Sequence, residues 1–196
     1  SDLRGFRIGT NAQKVVATDP EGSAGIEAGE DDTGLFSVAG FGIRGVRMRD
    51  AIVNGANNVG ALVGRVPASA DHRVLHDCYL YGTSLVRGTR MVGGLVGKTE
   101  SVSSICDCHV GRTPDGQVDD AMPVVVATQD SCGGIVGNFN GGWIGQSRED
   151  GAFDISVMAT LRAGVDENGH ACLGGVVGSV TGGSACYVNA ACVGDA

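Results

Sequence analysis

The stretch "VGGLVGKTE", Val92 to Glu100, ends in Gly-Lys-Thr behind a glycine-rich turn, and its reading decides the fold. A phosphate-binding loop needs a glycine, four residues and then Gly-Lys-Ser/Thr, because the backbone N–H groups of the turn must converge on the phosphates. Residue 92, where that first glycine belongs, is valine. The same core returns without the lysine as "VGALVGRV" (59–66), "CGGIVGNF" (132–139) and "LGGVVGSV" (173–180). A nucleotide loop would not be copied with its chemistry deleted, whereas a structural turn would. The stretch is a repeat unit.

The first glycines of the turns are Gly34 (in "GLFSV"), Gly60, Gly93, Gly133 and Gly174, spaced by 26, 33, 40 and 41 residues. A fixed motif at variable spacing means constant coils carrying loops of different length. Each turn is followed by a second block: "IRGVRM" (43–48), "LHDCYL" (75–80), "ICDCHV" (105–110), "IGQSRE" (144–149) and "GSACYV" (183–188). Their fourth positions, Val46, Cys78, Cys108, Ser147 and Cys186, form a column of small side chains, as expected where equivalent strands stack and each contributes one inward residue. Cys132 stands where other copies have Val59, Val92 and Leu173. Most cysteines therefore read as small hydrophobes, although seven is an odd number and cannot all pair within the chain.

The segments between anchors favour strands. "MPVVVA" (122–127), "AFDISVMA" (152–159) and "GLFSV" (34–38) are short, rich in β-branched or aromatic residues, and bounded by turn formers. Asn54-Gly55, Asp115-Gly116, Asn140-Gly141 and Asn168-Gly169 punctuate them. Two polar inserts, 111–121 and 162–171, should project from the coil and are the first place to look for selective binding.

With 196 residues the chain can bury one proper core. Its 34 glycines lack a Gly-X-Y period and come with only four prolines, which excludes collagen, and a 42% apolar share excludes a wholly disordered chain. A net charge of −8 argues against nucleic acid or an anionic membrane as the main partner, since both require a basic surface. No apolar run reaches the roughly 18 residues of a membrane span, so no membrane insertion is expected. The start, "SDLRGFRIGT", lacks the apolar region of a signal peptide. The expectation is a piece trimmed from a secreted protein, or a protein not exported by that route.

The core Gly93-Gly94-Leu95-Val96-Gly97 and its copies, each followed by a small, often cysteine-containing strand, resemble the GLUG repeat of large bacterial surface and secreted proteins. That family includes adhesin-like proteins and the non-catalytic regions of some IgA-cleaving metallopeptidases. The resemblance covers residues 34–196, four full copies and a truncated fifth that stops at "ACVGDA", with residues 1–33 outside it. It implies an all-β, parallel β-helix-like solenoid of about five glycine-rich repeats in a surface setting, and no catalytic residue to carry over.

Several motifs compete with this reading. Gly40-x-Gly42-x-x-Gly45 matches the dinucleotide fingerprint, which also needs a following helix and an acid about 20 residues on. Residue 60 is glycine, and no acid occurs between Asp50 and Asp71. "CDCH", Cys106 to His109, has zinc-ligand types, but on a regular strand Cys106 and Cys108 face one side and Asp107 and His109 the other. "HRVLH", His72 to His76, has Arg73 where a zinc peptidase needs its general-base glutamate. The acidic runs Glu30-Asp31-Asp32, Asp119-Asp120 and Glu149-Asp150 sit in turn-like segments where acids are usually solvated, and nine aromatics leave little to stack on sugars. Calcium in an acidic loop lacks both the EF-hand and the nonapeptide pattern.

The expectation is therefore a non-enzymatic structural and adhesive module of a bacterial cell-surface or secreted protein, placed outside the cell. It would carry no catalytic, cofactor or metal residues and no cofactor. Its partners would be a host or matrix protein or a glycan, with end-to-end self-association through an open edge. The alternative is a carbohydrate-active or glycan-binding solenoid with its site on the loop-bearing face. Residues 1–33 would form a first coil or cap and 34–196 the repeat solenoid, with Leu62, Leu95, Ile135 and Val176 in equivalent core positions.

Overall fold

The computed structural model describes residues 2–18, 26–68, 73–100, 103–145, 155–181, 186–188 and 191–192. These residues build an all-parallel, repeat-like all-β architecture of four sheets with nine, five, four and five strands. The chain visits the sheets in a fixed order, and each round pairs in parallel with the round before it. In the third round the sequence is Arg73–Tyr81, Leu85–Gly88, Arg90–Gly93 and Val96–Thr99; in the fourth it is Ser103–Val110, Val124–Ala127, Asp130–Gly133 and Val136–Phe139. Leu3–Arg4 and Arg7–Ile8, from the first 33 residues, extend the first and second sheets by pairing with Arg47–Arg49 and Ile52–Asn54.

The glycine motif is the corner between the third and fourth sheets. Val59, Val92, Cys132 and Leu173 pair in register, as do Gly60, Gly93, Gly133 and Gly174, and then Val63, Val96, Val136 and Val177. Leu62, Leu95, Ile135 and Val176 are buried inside the corner and joined by backbone bonds of 2.8–3.0 Å from each round to the next. The repeated spacing thus translates into a stack of identical apolar rows. Alternation of inward valine and outward polar residue within a strand sends one face to the core and leaves the other to water.

Why the corner needs glycine is not a matter of left-handed backbone. Gly94 and Gly134 both lie outside the positive-φ set, which near this corner falls instead on Asn58, Met91 and Asp130. A Cβ on Gly134 would overlap the carbonyl oxygen of Gly175 in the next round and the Cγ1 methyl of Val157 across the core; one on Gly94 would overlap the carbonyl oxygen of Gly134. The glycines are there so that successive rounds and the facing sheet can close on one another.

Two expectations about the first sheet are corrected. Cys78 and Cys108 do pair in register, but Cys108 is next paired with Ile155, while Cys186 pairs with Gly142 and through it with Ser103. Cys186 therefore belongs to a different row from Cys78 and Cys108, and Ser147 lies outside the described residues. The chain returns to the first sheet twice, as Gly142–Ile144 and as Ile155–Val157, so Ile155 continues the row of Cys108, while Cys186 opens the strand that lies in line with Gly142 and Ser103, ahead of that row. The second correction concerns "CDCH". Asp107 adopts φ +50° and breaks the alternation, so Cys108 points into the core beside Ile105, while Cys106 lines an outer cleft.

The buried thiols Cys78, Cys108 and Cys132 carry no disulfide. Burial pushes Cys108 well above the ordinary thiol range and Cys132 up to about 11. A hydrogen bond with Cys108 pulls Cys78 the other way, below that range. Since the thiolate is the nucleophile, Cys108 and Cys132 should react with an aqueous maleimide at least about 100-fold more slowly in the native state than in denaturant. Peptide mapping of partly labelled protein checks this, and native labelling of Cys108 at the unfolded rate would contradict the packing described.

Candidate functional site

The candidate surface is the outer face of the first sheet, which is folded along a line. Gly45, Asp77 and Asp107 follow the paired residues Arg44, His76 and Cys106, and all three have left-handed backbone, with φ of +72°, +54° and +50°. Glycine and aspartate tolerate that conformation better than most residues. Stacked in three successive rounds, they bend the sheet and divide its outer face into two surfaces.

Ahead of the bend, Arg44, His76 and Cys106 form one outward row. Two residues earlier, Ser104 pairs with Trp143, whose side chain stands outward between the buried residues Gly142 and Ile144. A cleft of about 420 Å³ is lined by Gly42, Ile43, Arg44, Leu75, His76, Ser104 and Cys106. Ser104 Oγ lies 3.3 Å from Cys106 Sγ. Arg44, His76 and Trp143 are exposed.

Beyond the bend runs a second outward row, Arg47, Tyr79, His109 and Ser156, again paired in register. Arg47 lies over the Tyr79 ring at 5.6 Å and also bonds Asp77 at 3.4 Å; Tyr79 stacks on His109 with 4.8 Å between centroids. His109 Nδ1 is 2.8 Å from Ser156 Oγ, and His109 Nε2 is 3.2 Å from Asp107 Oδ1. A serine, a histidine and an aspartate in line suggest a nucleophile, base and orienting acid. Here the order of exposure is inverted: Ser156 is 5% exposed and packed in the row, whereas the Asp107 carboxylate is the accessible end. The hydroxyl thus faces a packed neighbour, and the row reads as a stack that fastens round to round. Burial first, then Asp107 and Asp77, hold Tyr79 up to about 12.

The insert 111–121 leans over the end of this second surface. Its turn is closed by Thr113 N to Gln117 O at 2.9 Å and by the Arg112–Val118 bridge. Together with Asp2, Arg47, Arg49 and Tyr81, its residues Thr113, Pro114 and Asp115 line a cleft of about 500 Å³. Arg49 lies over the Tyr81 ring at 5.7 Å and is 3.7 Å from Asp50, and Tyr81 is held up to about 12 by burial and by its bond to Asp2. The second insert is shorter than its sequence suggests, because Thr160–Ala163 and Ala171–Gly174 are strands. Its turn is tied by Asp166, whose carboxyl lies below the usual range because the backbone N–H groups of His170 and Asn168 donate to it.

The other motifs land on structural duty. "VGKT" is strand Val96–Thr99, and Lys98 pairs with Glu100 at 3.1 Å. Arg65 bridges Asp32 at 2.9 Å and Glu100 at 3.0 Å, which raises its guanidinium, while the bonds from Lys98 first and Arg65 second lower the Glu100 carboxyl. Asp31 accepts from the backbone and side-chain amides of Asn57, and Asp119 from the amide of Ala121. Gly42 and Gly45 flank strand Ile43–Arg44 instead of opening a helix. His72 and the Glu149-Asp150 run lie outside the described residues, and His76 sits on a strand. Among the described residues no three His, Cys, Asp or Glu side chains form a group able to hold a metal ion, and no helix is long and apolar enough to cross a membrane.

Sequence reasoning missed both outer surfaces, though their signal was present. In the three blocks "IRGVRM", "LHDCYL" and "ICDCHV", the third position reads Gly, Asp, Asp, which marks the bend, and the second and fifth positions supply the two outward rows. No protein-family model, curated protein or solved structure matches this chain.

Proposed function

We propose that the four-sheet winding is a parallel β-helix of GLUG-like repeats and that it serves as a non-catalytic structural and adhesive module of a bacterial surface or secreted protein. The observation that carries this reading is where the polar chemistry is used. Arg65 bonds Asp32 of the round before and Glu100 of the round after along the fourth sheet, Lys98 braces Glu100 from within its own round, and Asn138 continues the line to Ser179 at 2.8 Å. Arg47, Tyr79, His109 and Ser156 do the same on the first sheet. Side chains that sequence motifs would assign to catalysis are spent on lateral stitching, which suits an extended stalk. The test is a retention assay on immobilised matrix proteins and glycans, with the supernatant analysed for cleavage products. Retention without turnover is expected; release of new reducing ends or peptide fragments would overturn the reading.

The same module has an edge suited to self-association. Leu173 is 57% exposed, although its row partners Val59, Val92 and Cys132 are fully buried. An apolar, unpaired strand edge recruits another strand. Leu173→Lys should therefore lower the apparent mass measured by light scattering at high concentration without lowering the melting temperature. Identical concentration dependence in wild type and variant would exclude this edge as the contact.

A further inference from the structure

We propose that the outer face of the first sheet ahead of its bend binds an acidic oligosaccharide, with Trp143 stacking on one sugar ring and Arg44 and His76 receiving a carboxylate from another. The inference rests on the adhesive reading above and names the ligand class of that surface.

Trp143 is 54% exposed on a sheet face, at a strand position flanked by two buried residues. An indole held outward on a rigid strand gives up a large apolar area to water, and a sugar ring offers an apolar C–H face to cover it while its hydroxyls stay wet. Next to Trp143 in register is Ser104, which lines the 420 Å³ cleft and offers a hydroxyl that both donates and accepts. The far side of the cleft is cationic. Neither Arg44 nor His76 has an ion-pair partner among the described residues, whereas Arg47, Arg65 and Lys98 are each committed to a carboxylate. In a chain of net charge −8, a guanidinium and an imidazole side by side, with no ion pair to an acid among the described residues, form a local site for an anionic group.

The spacing selects an oligomer over a small anion. The Arg44, His76 and Cys106 row crosses three neighbouring strands and Trp143 stands on the fourth, so the aromatic and cationic ends are separated by about three strand spacings, ~14 Å. That span exceeds one sugar ring. It runs along the axis on which the rounds stack, across strands paired in parallel. A duplex nucleic acid does not fit this surface, because its phosphates would meet the acidic remainder of the molecule.

The chain contains a single tryptophan, so its intrinsic fluorescence reports this site alone. Titration of the full chain with hyaluronan and oligogalacturonate hexasaccharides should shift and quench that emission saturably with at least one of the two. By calorimetry, Trp143→Ala should weaken binding about tenfold or more, and Arg44→Gln should weaken the acidic sugar while leaving its carboxyl-reduced form unaffected. Both side chains are exposed, so melting temperatures should match wild type and folding failure does not confound the result. Heat of binding with silent tryptophan emission, or equal affinity in Trp143→Ala, would overturn the proposal and place the glycan elsewhere, with the adhesive reading intact. Retention on matrix protein with no affinity for either hexasaccharide would also overturn it and spare that reading. Retention on no surface at all would overturn both.

Discussion

Gly134→Val is expected to lower the melting temperature by about 10 °C or more, or to prevent folding. The valine Cβ would occupy the space of the Gly175 carbonyl oxygen and of a Val157 methyl, one in the next round and one across the core. Neither can retreat cheaply. The Gly175 carbonyl belongs to the backbone of a round held by its own ladders, and Val157 is buried on the first sheet, paired with Val110. Overpacking of this kind, with backbone displacement, belongs to the exceptional class of substitutions costing about 4 kcal/mol or more. At the ~2–4 °C per kcal/mol expected for a chain of this size, the shift is unmistakable. Gly134→Ala should fall between wild type and valine, since Ala61 shows that the matching corner two rounds earlier accepts a methyl group. Circular dichroism melts of the three proteins check the order. A valine variant within about 2 °C of wild type would mean that the rounds are not packed as described.

The second large effect is expected at Asn54. Its side chain is fully buried and satisfied on both sides: Nδ2 donates to Thr10 O at 2.8 Å and Glu27 O at 3.1 Å, and Oδ1 accepts from Arg87 Nη1 at 2.7 Å. Arg87, itself 5% exposed, uses Nη2 to hold Ile26 O at 3.0 Å, and burial pulls its pKa below the ordinary arginine value. This pair is the polar clamp that fastens residues 26–30 and the Thr10 turn onto the second sheet. Asn54→Ala would leave a buried guanidinium N–H and two carbonyls without partners, at a cost of about 3 kcal/mol. The loss should appear locally as well as globally. The amide of Ala56, which donates to Glu30 O at 2.8 Å, should exchange faster by two orders of magnitude or more, while Val96 N, bonded to Ile135 O, keeps most of its protection. Uniform acceleration at both amides would show that the clamp stabilises the whole domain and not this segment.

The sequence by itself determined the repeat. Positions that must be glycine, valine or leucine recur because every round meets the same neighbours above and below, so a local pattern records a long-range contact. That is why Gly60, Gly93, Gly133 and Gly174 stand at matching places in the repeat and are paired in register. It is also why the inward rows through Leu62, Leu95 and Ile135 were legible. Three things were decided only by the tertiary structure. The corner glycines owe their identity to contacts with the next round and the opposite sheet, which no turn rule contains, since their own backbone angles are ordinary. Asp107 reverses the facing of Cys106 and Cys108 because one left-handed residue cancels the two-residue period from which facing is read. Cys186 stands outside the row of Cys78 and Cys108 because its strand pairs with Gly142–Ile144, and a register set by pairing leaves no mark on the apolar pattern of the strand itself. The outward rows follow the same logic. Arg44, His76, Ser104 and Trp143 are up to 99 residues apart in the chain. Nothing local links them, and they share one surface because the winding returns each round to the same sheet one strand spacing further on.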